Sequence, residues 1–516
     1  SGLRSLGTHS APHVGVANPV LDGNHGSSAH CATAACNGPV LTVGTPPGQL
    51  GAAGSPPAEA GTPALNVFAQ IQGITIEDAD SALQGSTGGE SGGMMVSKGA
   101  NITVTNARFL HNHANDGGGI DNPLGGTVTV SHSTFVSNSV TYGGGAIGNG
   151  MHGSGTLAVS GSTFSLNSAS AGGAIATAFE GSGTVTVAGS TFSHNTVSGN
   201  GGAIDGSTEV GTLTVSGSAF VGNIVKNRAL GEGGGGAIDV AEGGALDTTY
   251  SVSGSTFVAN SAHYGGAINQ GKATGTVSAS TFSANGASYG GAVADGITTG
   301  GPLAISTSTF SGNRAAGNGG AINNAEGTGP GTVTVSNSTF WGNAAVGNLH
   351  AAGVDSTVTN GDGGAIDNAD NGGTGTVAVS ASTFSANVAK HSGDTVANDG
   401  TLFVVADIFN GTCDQSSSQT KWSDVGYNVG TNATCLSAGA ADVNHGANRL
   451  APLARGGGPT RTMRPLSSNP AVGIIPLDTA VTLNGNPVTL CPTTDQRGVP
   501  SAAGKACNAG AVQAAS

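Results

Sequence analysis

The sequence predicts an all-β solenoid, a single-stranded parallel β-helix of roughly 11–13 rungs, where a rung is one turn of the chain about the axis. A two-part phrase, Phe-x-x-Asn followed by Gly-Gly-Ala-Ile, recurs ten times between residues 109 and 387. Segments with strand alternation separate the copies, and no segment shows a helical period. Self-similarity of this kind outweighs local propensity when a fold is predicted.

The Phe-x-x-Asn element predicts two ladders of stacked side chains. Phe would stack into an inward aromatic ladder, and Asn would hydrogen-bond along the axis to its copy on the next rung. Asn also tolerates a left-handed backbone, which suits a corner. The ladder residues that we select as representative are Phe135, Phe164 and Phe192 with Asn138, Asn167 and Asn195.

The Gly-Gly-Ala-Ile element predicts a corner that leads into a buried strand. Paired glycines allow a sharp corner or a close approach of two backbones. The Ile side chains, such as Ile147, Ile175 and Ile204, would form an aliphatic ladder.

The segments between the two elements, such as 126–131 and 331–336, read Gly-Thr-Val-Thr-Val-Ser and predict a half-buried strand. Most Phe-to-Phe steps span 25 to 30 residues, with 37 before Phe257 and 44 before Phe384. A unit of this size holds three short strands, and each rung lies about 4.8 Å above the last. The long steps predict loops at about 226–234 and 344–361, where we expect a binding site because loops on rigid scaffolds commonly carry function.

Composition narrows the function classes. Gly accounts for 92 of 516 residues and charged residues for only 9%, which is too regular and too apolar for disorder. The formal charge of −14 argues against a nucleic-acid partner, which needs a basic face. The sequence contains no run of 18 apolar residues, so it predicts no membrane-spanning helix. Ser1 begins no signal-peptide pattern, so we expect a mature or trimmed N-terminus.

Six cysteines lie outside the ten marked repeats, in the local pairs Cys31 and Cys36, Cys413 and Cys435, and Cys491 and Cys507. An even count near the ends predicts disulfides that staple the irregular parts of an extracellular protein. The repeat boundaries then predict three regions, an N-terminal cap at 1–63, the β-helix at 64–410, and a disulfide-stapled C-terminal cap at 411–516. Terminal segments that depart from the repeat are what a solenoid needs to cover its open sheet edges.

The repeated phrase resembles the repeat of chlamydial polymorphic outer-membrane proteins and of the wider set of bacterial secreted right-handed β-helix proteins. The C-terminal stretch resembles the tail of many such surface proteins, in the segments 450–460, 469–471, 495–498 and 507–511. The resemblance implies a right-handed helix and a secreted or cell-surface location. It also implies an anchored or adhesive role. Independently of the resemblance, a long, weakly charged face of Ser, Thr, Gly and Ala makes surface glycans candidate partners.

Catalysis is an alternative, because parallel β-helices also host polysaccharide lyases and hydrolases. Asp or Asn follows the Ile of several rungs, and Asp205 and Asp239 would stack on consecutive rungs, where they could share a proton or bridge Ca²⁺. The marked rungs hold few Lys and Arg, however, and the histidines form no recurrent pair. We therefore favour turn-forming residues over catalytic or metal-binding ones, and we expect no cofactor.

A second alternative comes from pairs of outward threonines, such as Thr127 with Thr129 and Thr184 with Thr186. Stacked rungs would turn such pairs into a flat hydroxyl and methyl array, which resembles the ice-binding face of some β-solenoid antifreeze proteins. Ala and Ser interrupt the array, and Thr is also simply a favoured strand residue.

The sequence thus favours an extracellular structural or adhesive rod over an enzyme. Its low charge density lowers the repulsion between copies, and open ends permit head-to-tail contacts. End-to-end assembly into a cell-surface fibre is an extension of this hypothesis, with copies of the chain itself as the partner.

Overall fold

A computed structural model describes residues 20–22, 41–43, 67–80, 91–151, 153–177, 183–206, 211–226, 233–240, 248–296, 299–327, 329–347, 361–414, 421–437, 439–444, 449–501 and 504–513. The chain forms a parallel β-solenoid, which confirms the predicted fold class. A complete rung runs through four parallel sheets, which we call C, A, D and B in the order in which the chain passes through them. Its strand in sheet D has only two residues and is present in most rungs. Each strand pairs in parallel with its copies on the rungs before and after it.

The bounds of the strands follow the repeat. The 14 described strands of sheet A are Val20–Asp22, Thr75–Glu77, Arg108–Leu110, Thr134–Val136, Thr163–Ser165, Thr191–Ser193, Ala219–Val221, Thr256–Val258, Thr281–Ser283, Thr309–Ser311, Thr339–Trp341, Thr383–Ser385, Ile408–Asn410 and Val429–Gly430. The 13 described strands of sheet B are Leu41–Val43, Met94–Val96, Ile120–Asn122, Ile147–Asn149, Ile175–Thr177, Ile204–Asp205, Ile238–Val240, Ile268–Gln270, Val293–Asp295, Ile322–Asn324, Ile366–Asn368, Val396–Asn398 and Cys413–Asp414.

The 13 described strands of sheet C are Phe68–Gln72, Asn101–Thr105, Thr127–Ser131, Thr156–Ser160, Thr184–Ala188, Thr212–Ser216, Thr249–Ser253, Thr274–Ser278, Pro302–Ser306, Thr332–Ser336, Thr376–Ser380, Thr401–Val405 and Lys421–Gly426. Sheet D consists of His113–Ala114, Ser139–Val140, Ser168–Ala169, Thr196–Val197 and Ile224–Val225, and of Gly286–Ala287, Arg314–Ala315, Ala344–Ala345 and Val388–Ala389. Two antiparallel hairpins, Ala454–Arg455 with Arg461–Thr462 and Ala480–Leu483 with Asn486–Thr489, and two 3-10 turns, Asp370–Gly372 and Ala433–Cys435, complete the described elements.

Stacked identical side chains fill the interior. The rings from Phe109 to Phe384 lie 4.7–4.8 Å apart, centroid to centroid, with interplanar angles of 2–9°. Phe409 extends the stack at 5.4 Å. The Ile residues of sheet B and the alternating Val and Leu residues of sheet C belong to the same core cluster. The aromatic and aliphatic ladders that the sequence predicts are thus present.

The Asn residues form a continuous buried hydrogen-bond ladder. Asn195 donates from Nδ2 to Asn223 Oδ1 at 2.9 Å and to the Phe164 carbonyl at 3.1 Å. Its Oδ1 accepts from the backbone N–H and the Nδ2 of Asn167, both at 3.0 Å. All four hydrogen-bonding positions of the carboxamide are thus satisfied, and the ladder ties each rung to the next one from Asn112 to Asn387.

The left-handed corner lies one residue earlier than the sequence suggested. In Phe-x-x-Asn the residue with positive φ is the one before Asn, such as Leu166 (φ 59°) and His194 (φ 55°). Asn is needed at its own position because its side chain points into the interior, where it makes the hydrogen bonds of the ladder.

A second polar ladder was not anticipated. Ser133 lies two residues before Phe135, and its Oγ accepts the backbone N–H of Ala107 on the preceding rung. The same Oγ donates to the Ser131 carbonyl at 2.9 Å. Serine repeats at this position up to Ser382, whose N–H is accepted by Asp407 Oδ1 at 2.7 Å on the last such rung. This ladder provides hydrogen-bond partners for backbone N–H and carbonyl groups at the corner between sheets C and A.

The two glycines of Gly-Gly-Ala-Ile perform separate tasks. Gly172, the first glycine of its pair, adopts a φ of +59° and makes the corner. The second, Gly173, has an ordinary φ, but a Cβ there would lie 2.3 Å from the Gly202 carbonyl oxygen of the next rung. Both reasons for glycine that the sequence suggested therefore apply, one to each residue.

The ends of the solenoid extend into the predicted caps. Strands Val20–Asp22 and Leu41–Val43 lie within 1–63, and strands Lys421–Gly426 and Val429–Gly430 lie within 411–516. The three-region division stays a prediction. Cys413 with Cys435 and Cys491 with Cys507 form disulfides, while Cys31 and Cys36 lie outside the described residues.

The C-terminal segment folds back along the outside of sheet A. Gln496 Nε2 donates to the Ser308 carbonyl and to Thr309 Oγ1, both at 2.9 Å, and Gln496 Oε1 accepts from Thr339 Oγ1 at 2.6 Å. One side chain thus contacts two consecutive rungs. Asp495 holds Arg497 in a buried ion pair of 2.6 Å beside it. The Asp-Gln-Arg-Gly segment therefore acts as a clasp between the tail and the solenoid.

The outward threonines of sheet C are in register over six rungs. Thr127, Thr156, Thr184, Thr212, Thr249 and Thr274 are successive Cα partners, and all six are exposed. The neighbouring column is broken by Ala158 and Ser251. Ice binding by this face stays a prediction.

Replacing Asn195 with Ala should destabilise the solenoid by at least about 3 kcal/mol, because it leaves buried partners on both neighbouring rungs without hydrogen bonds. The free energy of unfolding from denaturant titration measures the effect. The matched control is Thr186→Ala, an exposed side chain of the same rung, for which we expect a change within about 0.5 kcal/mol. Equal effects of the two changes would contradict the ladder's role.

Replacing Gln496 with Ala should loosen the C-terminal segment while the rungs stay folded. Because the C-terminal segment loses its hydrogen bonds to two rungs, the equilibrium constant for its local opening should rise roughly tenfold or more. Limited proteolysis followed by mass spectrometry reads out cleavage within 449–513. The exposed Ser467→Ala is the control, and a cleavage rate for Gln496→Ala no faster than that of the control would refute the clasp.

Candidate functional site

A column of polar side chains follows the Ile ladder on sheet B. Its members are Asp121, Asp205, Asp239, Asn269, Asn323 and Asp367, and each is at most 8% exposed. Successive strand residues point to opposite faces, so these side chains point away from the Ile core. The glycine-rich chain before each strand covers them, since a Cβ on Gly234 would lie 2.3 Å from Asp239 Oδ1. Close packing of this chain makes the column an internal polar layer.

Asp205 and Asp239, the residues suggested for Ca²⁺, are Cα partners on consecutive strands as predicted. Asp239 Oδ1 accepts a hydrogen bond from Asn269 Nδ2 at 2.7 Å. Among the residues that the structure describes, no three His, Cys, Asp or Glu side chains are grouped to hold a metal ion. Calcium binding by this pair stays a prediction, and these contacts supply only two carboxylates for it.

Asp121 is the most isolated carboxylate of the column. It is 1% exposed, and neither of its oxygens has a hydrogen-bond partner within the described part of the chain. Burial, together with the nearby Asp116 carboxylate, raises its pKa well above the usual value. Burial likewise raises the pKa of Asp367, another member of the column. The carboxyl groups of Asp121 and Asp367 in this layer therefore resist ionisation.

Three exposed histidines lie beside Asp carboxylates, which the sequence did not predict. The pairs are His111 with Asp78 at 3.8 Å, His113 with Asp80 at 3.3 Å, and His391 with Asp362 at 2.7 Å. The hydrogen bond to Asp362 raises the pKa of His391. A fourth histidine, His263, is buried in edge contact with Tyr264, 4.3 Å between ring centroids. The three His–Asp pairs join residues that lie 29 or 33 positions apart in sequence, so no local spacing could have revealed them.

Burial limits the chemistry of the column. Asp121, Asp239 and Asp367 are at most 3% exposed, so a polymeric substrate could not reach them without moving the covering chain. A glycoside hydrolase or lyase needs carboxylates that touch the substrate. The two long insertions suggested as binding loops, about 226–234 and 344–361, lie mostly outside the described residues.

The comparisons with known proteins agree with the repeat. Residues 189–207 and 307–325 each match the Chlamydia polymorphic membrane protein repeat. Each match covers one Phe-x-x-Asn and the following Gly-Gly-Ala-Ile, so the resemblance seen in the sequence is confirmed. The chain carries repeats of a type that points to bacterial surface or outer-membrane proteins.

No curated protein matches the chain. Among solved structures, a PL6 alginate lyase in complex with a trisaccharide is similar over 80% of this chain and 85% of its own, with 9% identity and a TM-score of 0.27. A likeness this weak says nothing about substrate. Within the described residues, no helix is long and apolar enough to span a membrane.

Replacing Asp121 with Asn should stabilise the protein at pH 8 by about 1–3 kcal/mol, because a buried neutral amide costs less than a buried charge. The folded-state pKa is raised, so the folded chain binds more protons than the unfolded chain above about pH 4, and the wild type loses stability as the pH rises. The gain of the variant should therefore shrink as the pH falls from 8 towards 4. Thermal melts over this range measure it.

The exposed Asp478→Asn serves as the control for this pH series, and we expect its melting curves to follow the wild type. A gain for Asp121→Asn that is absent, or that grows on acidification, would contradict the assigned burial of the carboxylate.

Proposed function

We propose that the protein is a rigid rod at the bacterial surface with a structural or adhesive role. The uninterrupted stack of rings from Phe109 to Phe409 is the observation that carries this proposal. Thirteen strands at about 4.8 Å spacing give a rod of roughly 60 Å. Such a stack is continuous over eleven consecutive rungs, from Phe109 to Phe409, so the rod resists bending over this length and can hold a binding surface away from its point of attachment.

The exposed faces suit recognition more than catalysis. Sheet C presents Thr residues such as Thr184 and Thr186 in a flat, uncharged array. Hydroxyl groups in regular rows can hydrogen-bond the hydroxyls of surface glycans, which we propose as the partner. The carboxylates of the column are, by contrast, covered.

The C-terminal edge favours a single rod over a fibre. Strand Lys421–Gly426 ends the described part of sheet C, and its register shifts at a bulge beside Val405. Bulges and charged edge residues, here Lys421 and Asp424, are features that discourage the addition of another strand. We therefore propose that the rod acts as a monomer, and head-to-tail assembly is the competing outcome.

Negative-stain electron microscopy over a concentration series tests the rod. We expect single particles of roughly 60 Å in their long dimension at every concentration. Fibres whose repeat matches one molecule would overturn the monomeric rod and establish end-to-end assembly. Compact, isometric particles would overturn the rod itself.

The same preparation should bind a subset of immobilised glycans and leave polysaccharides intact. Release of unsaturated or reducing sugars from alginate or pectate would instead support the enzymatic alternative. Binding without cleavage, weakened by Thr186→Lys on sheet C but not by Thr191→Lys on sheet A, would locate the adhesive face.

A further inference from the structure

Two neighbouring rungs share a second, shorter pattern directly after their Ile residues. It reads Asn323-Asn324-Ala325-Glu326 on one rung and Asp367-Asn368-Ala369-Asp370 on the next. Asn323 and Asp367 are Cα partners. Ala325 and Ala369 adopt left-handed φ values of 61° and 70°, an unusual conformation for Ala. This bend turns the chain so that the acidic fourth residue returns towards the first.

The bend gathers carboxylates around two amides. Asn323 Nδ2 donates to Glu326 Oε2 at 2.9 Å and to Asp367 Oδ2 at 3.1 Å. Asn318 Nδ2 donates to Glu326 Oε2 at 3.4 Å and to Asp370 Oδ2 at 2.5 Å. Glu326 and Asp367, from adjacent rungs, thus accept from the same Asn323 amide, and Asp370 is hydrogen-bonded to Asn318 beside them.

The charges in this cluster repel one another. After burial, the groups that raise the pKa of Asp367 are Glu326, Asp370, Asp362 and Asp399, which are all acidic. His391, the nearby group of opposite character, is bonded to Asp362. Asp367 is 3% exposed and Glu326 is 7% exposed, so water cannot screen them well.

The carboxamide that joins the two carboxylates carries an oxygen without a hydrogen-bond donor. Asn323 is 0% exposed, and its Oδ1 has no hydrogen-bond partner within the described residues. A half-rotation of the carboxamide exchanges the positions of Oδ1 and Nδ2. In one orientation the NH2 group separates the two carboxylates, and in the other a third oxygen joins them.

We propose that Asn323, Glu326 and Asp367 form a Ca²⁺-binding site between two rungs of the solenoid. Calcium accepts carboxylate, amide and water oxygens in a flexible shell of six to eight ligands. Within the described residues, no three Asp, Glu, His or Cys side chains are grouped to hold a metal ion. The proposed site therefore uses two carboxylates and one amide oxygen, and water completes the coordination shell. Asp370 stays hydrogen-bonded to Asn318 beside it. Bound Ca²⁺ would neutralise the cluster and lock the two rungs together.

Calorimetric titration of CaCl2 into the full chain, stripped of metal with a chelator, tests the proposal. We expect one site with a dissociation constant of about 0.1–1 mM, as in extracellular calcium modules, and weaker binding of MgCl2. The melting temperature should rise with added Ca²⁺. Absence of binding up to about 10 mM would overturn the proposal.

Two variants separate a site from a merely repulsive cluster. Asp367→Asn should raise the melting temperature in chelator, since it removes repulsion, and should weaken Ca²⁺ binding at least about tenfold. Glu326→Gln should do the same and guards against a folding defect in either variant. Asp239→Asn, which changes the corresponding position of another rung, should leave Ca²⁺ binding unchanged.

Two outcomes for these variants would contradict the proposal. If Asp367→Asn and Glu326→Gln raise the melting temperature but bind Ca²⁺ as the wild type does, the cluster is not the site. If Asp239→Asn alone abolishes binding, calcium belongs to the pair Asp205 and Asp239, and the assignment to Asn323, Glu326 and Asp367 is overturned.

Discussion

The hydrogen bonds between rungs set the constraint on which the rest of the structure depends. Backbone pairing holds each rung about 4.8 Å from the next, so any side chain that points inward meets its own copy at that distance. The spacing of the stacked Phe rings, 4.7–4.8 Å, is the same length. Only side chains that pack well against themselves can repeat at such a position. Phe, Ile and Asn meet this condition, by stacking, by aliphatic contact and by self-complementary hydrogen bonds.

The Asn ladder shows how strongly this constraint is kept. Asn223 and Asn260 lie 37 residues apart, and Asn343 and Asn387 lie 44 residues apart, yet both side-chain hydrogen bonds measure 2.9 Å. The extra residues fall in the sequence between a strand of sheet D and a strand of sheet B, and the stacked positions on the flanking strands keep their register. The fold therefore accepts insertions at low energetic cost, which leaves room for surface variation on a constant scaffold.

Changes in the core are accommodated by neighbours on adjacent rungs. Tyr250 replaces the usual aliphatic residue of sheet C, and the next rung places Gly275 opposite it. A Cβ on Gly275 would lie 2.3 Å from the Tyr250 ring. The Tyr250 hydroxyl donates to Gln270 Oε1 at 2.6 Å, so its buried polar group is satisfied. A larger side chain on one rung is thus compensated by a smaller residue on the next rung.

The sequence by itself determined the solenoid, the three inward ladders and the corner glycines, because these follow from a repeat whose partners are always one rung away. Tertiary structure alone decided the contacts that do not follow the repeat. Gln496 contacts Thr309 across 187 residues, and Glu326 meets Asp367 only because a left-handed Ala turns its chain back. The position of the left-handed corner before Asn, and the burial of Asp121, also depended on how neighbouring chain segments pack. A one-dimensional repeat predicts what each rung shares with its neighbours, whereas a site arises where individual rungs differ.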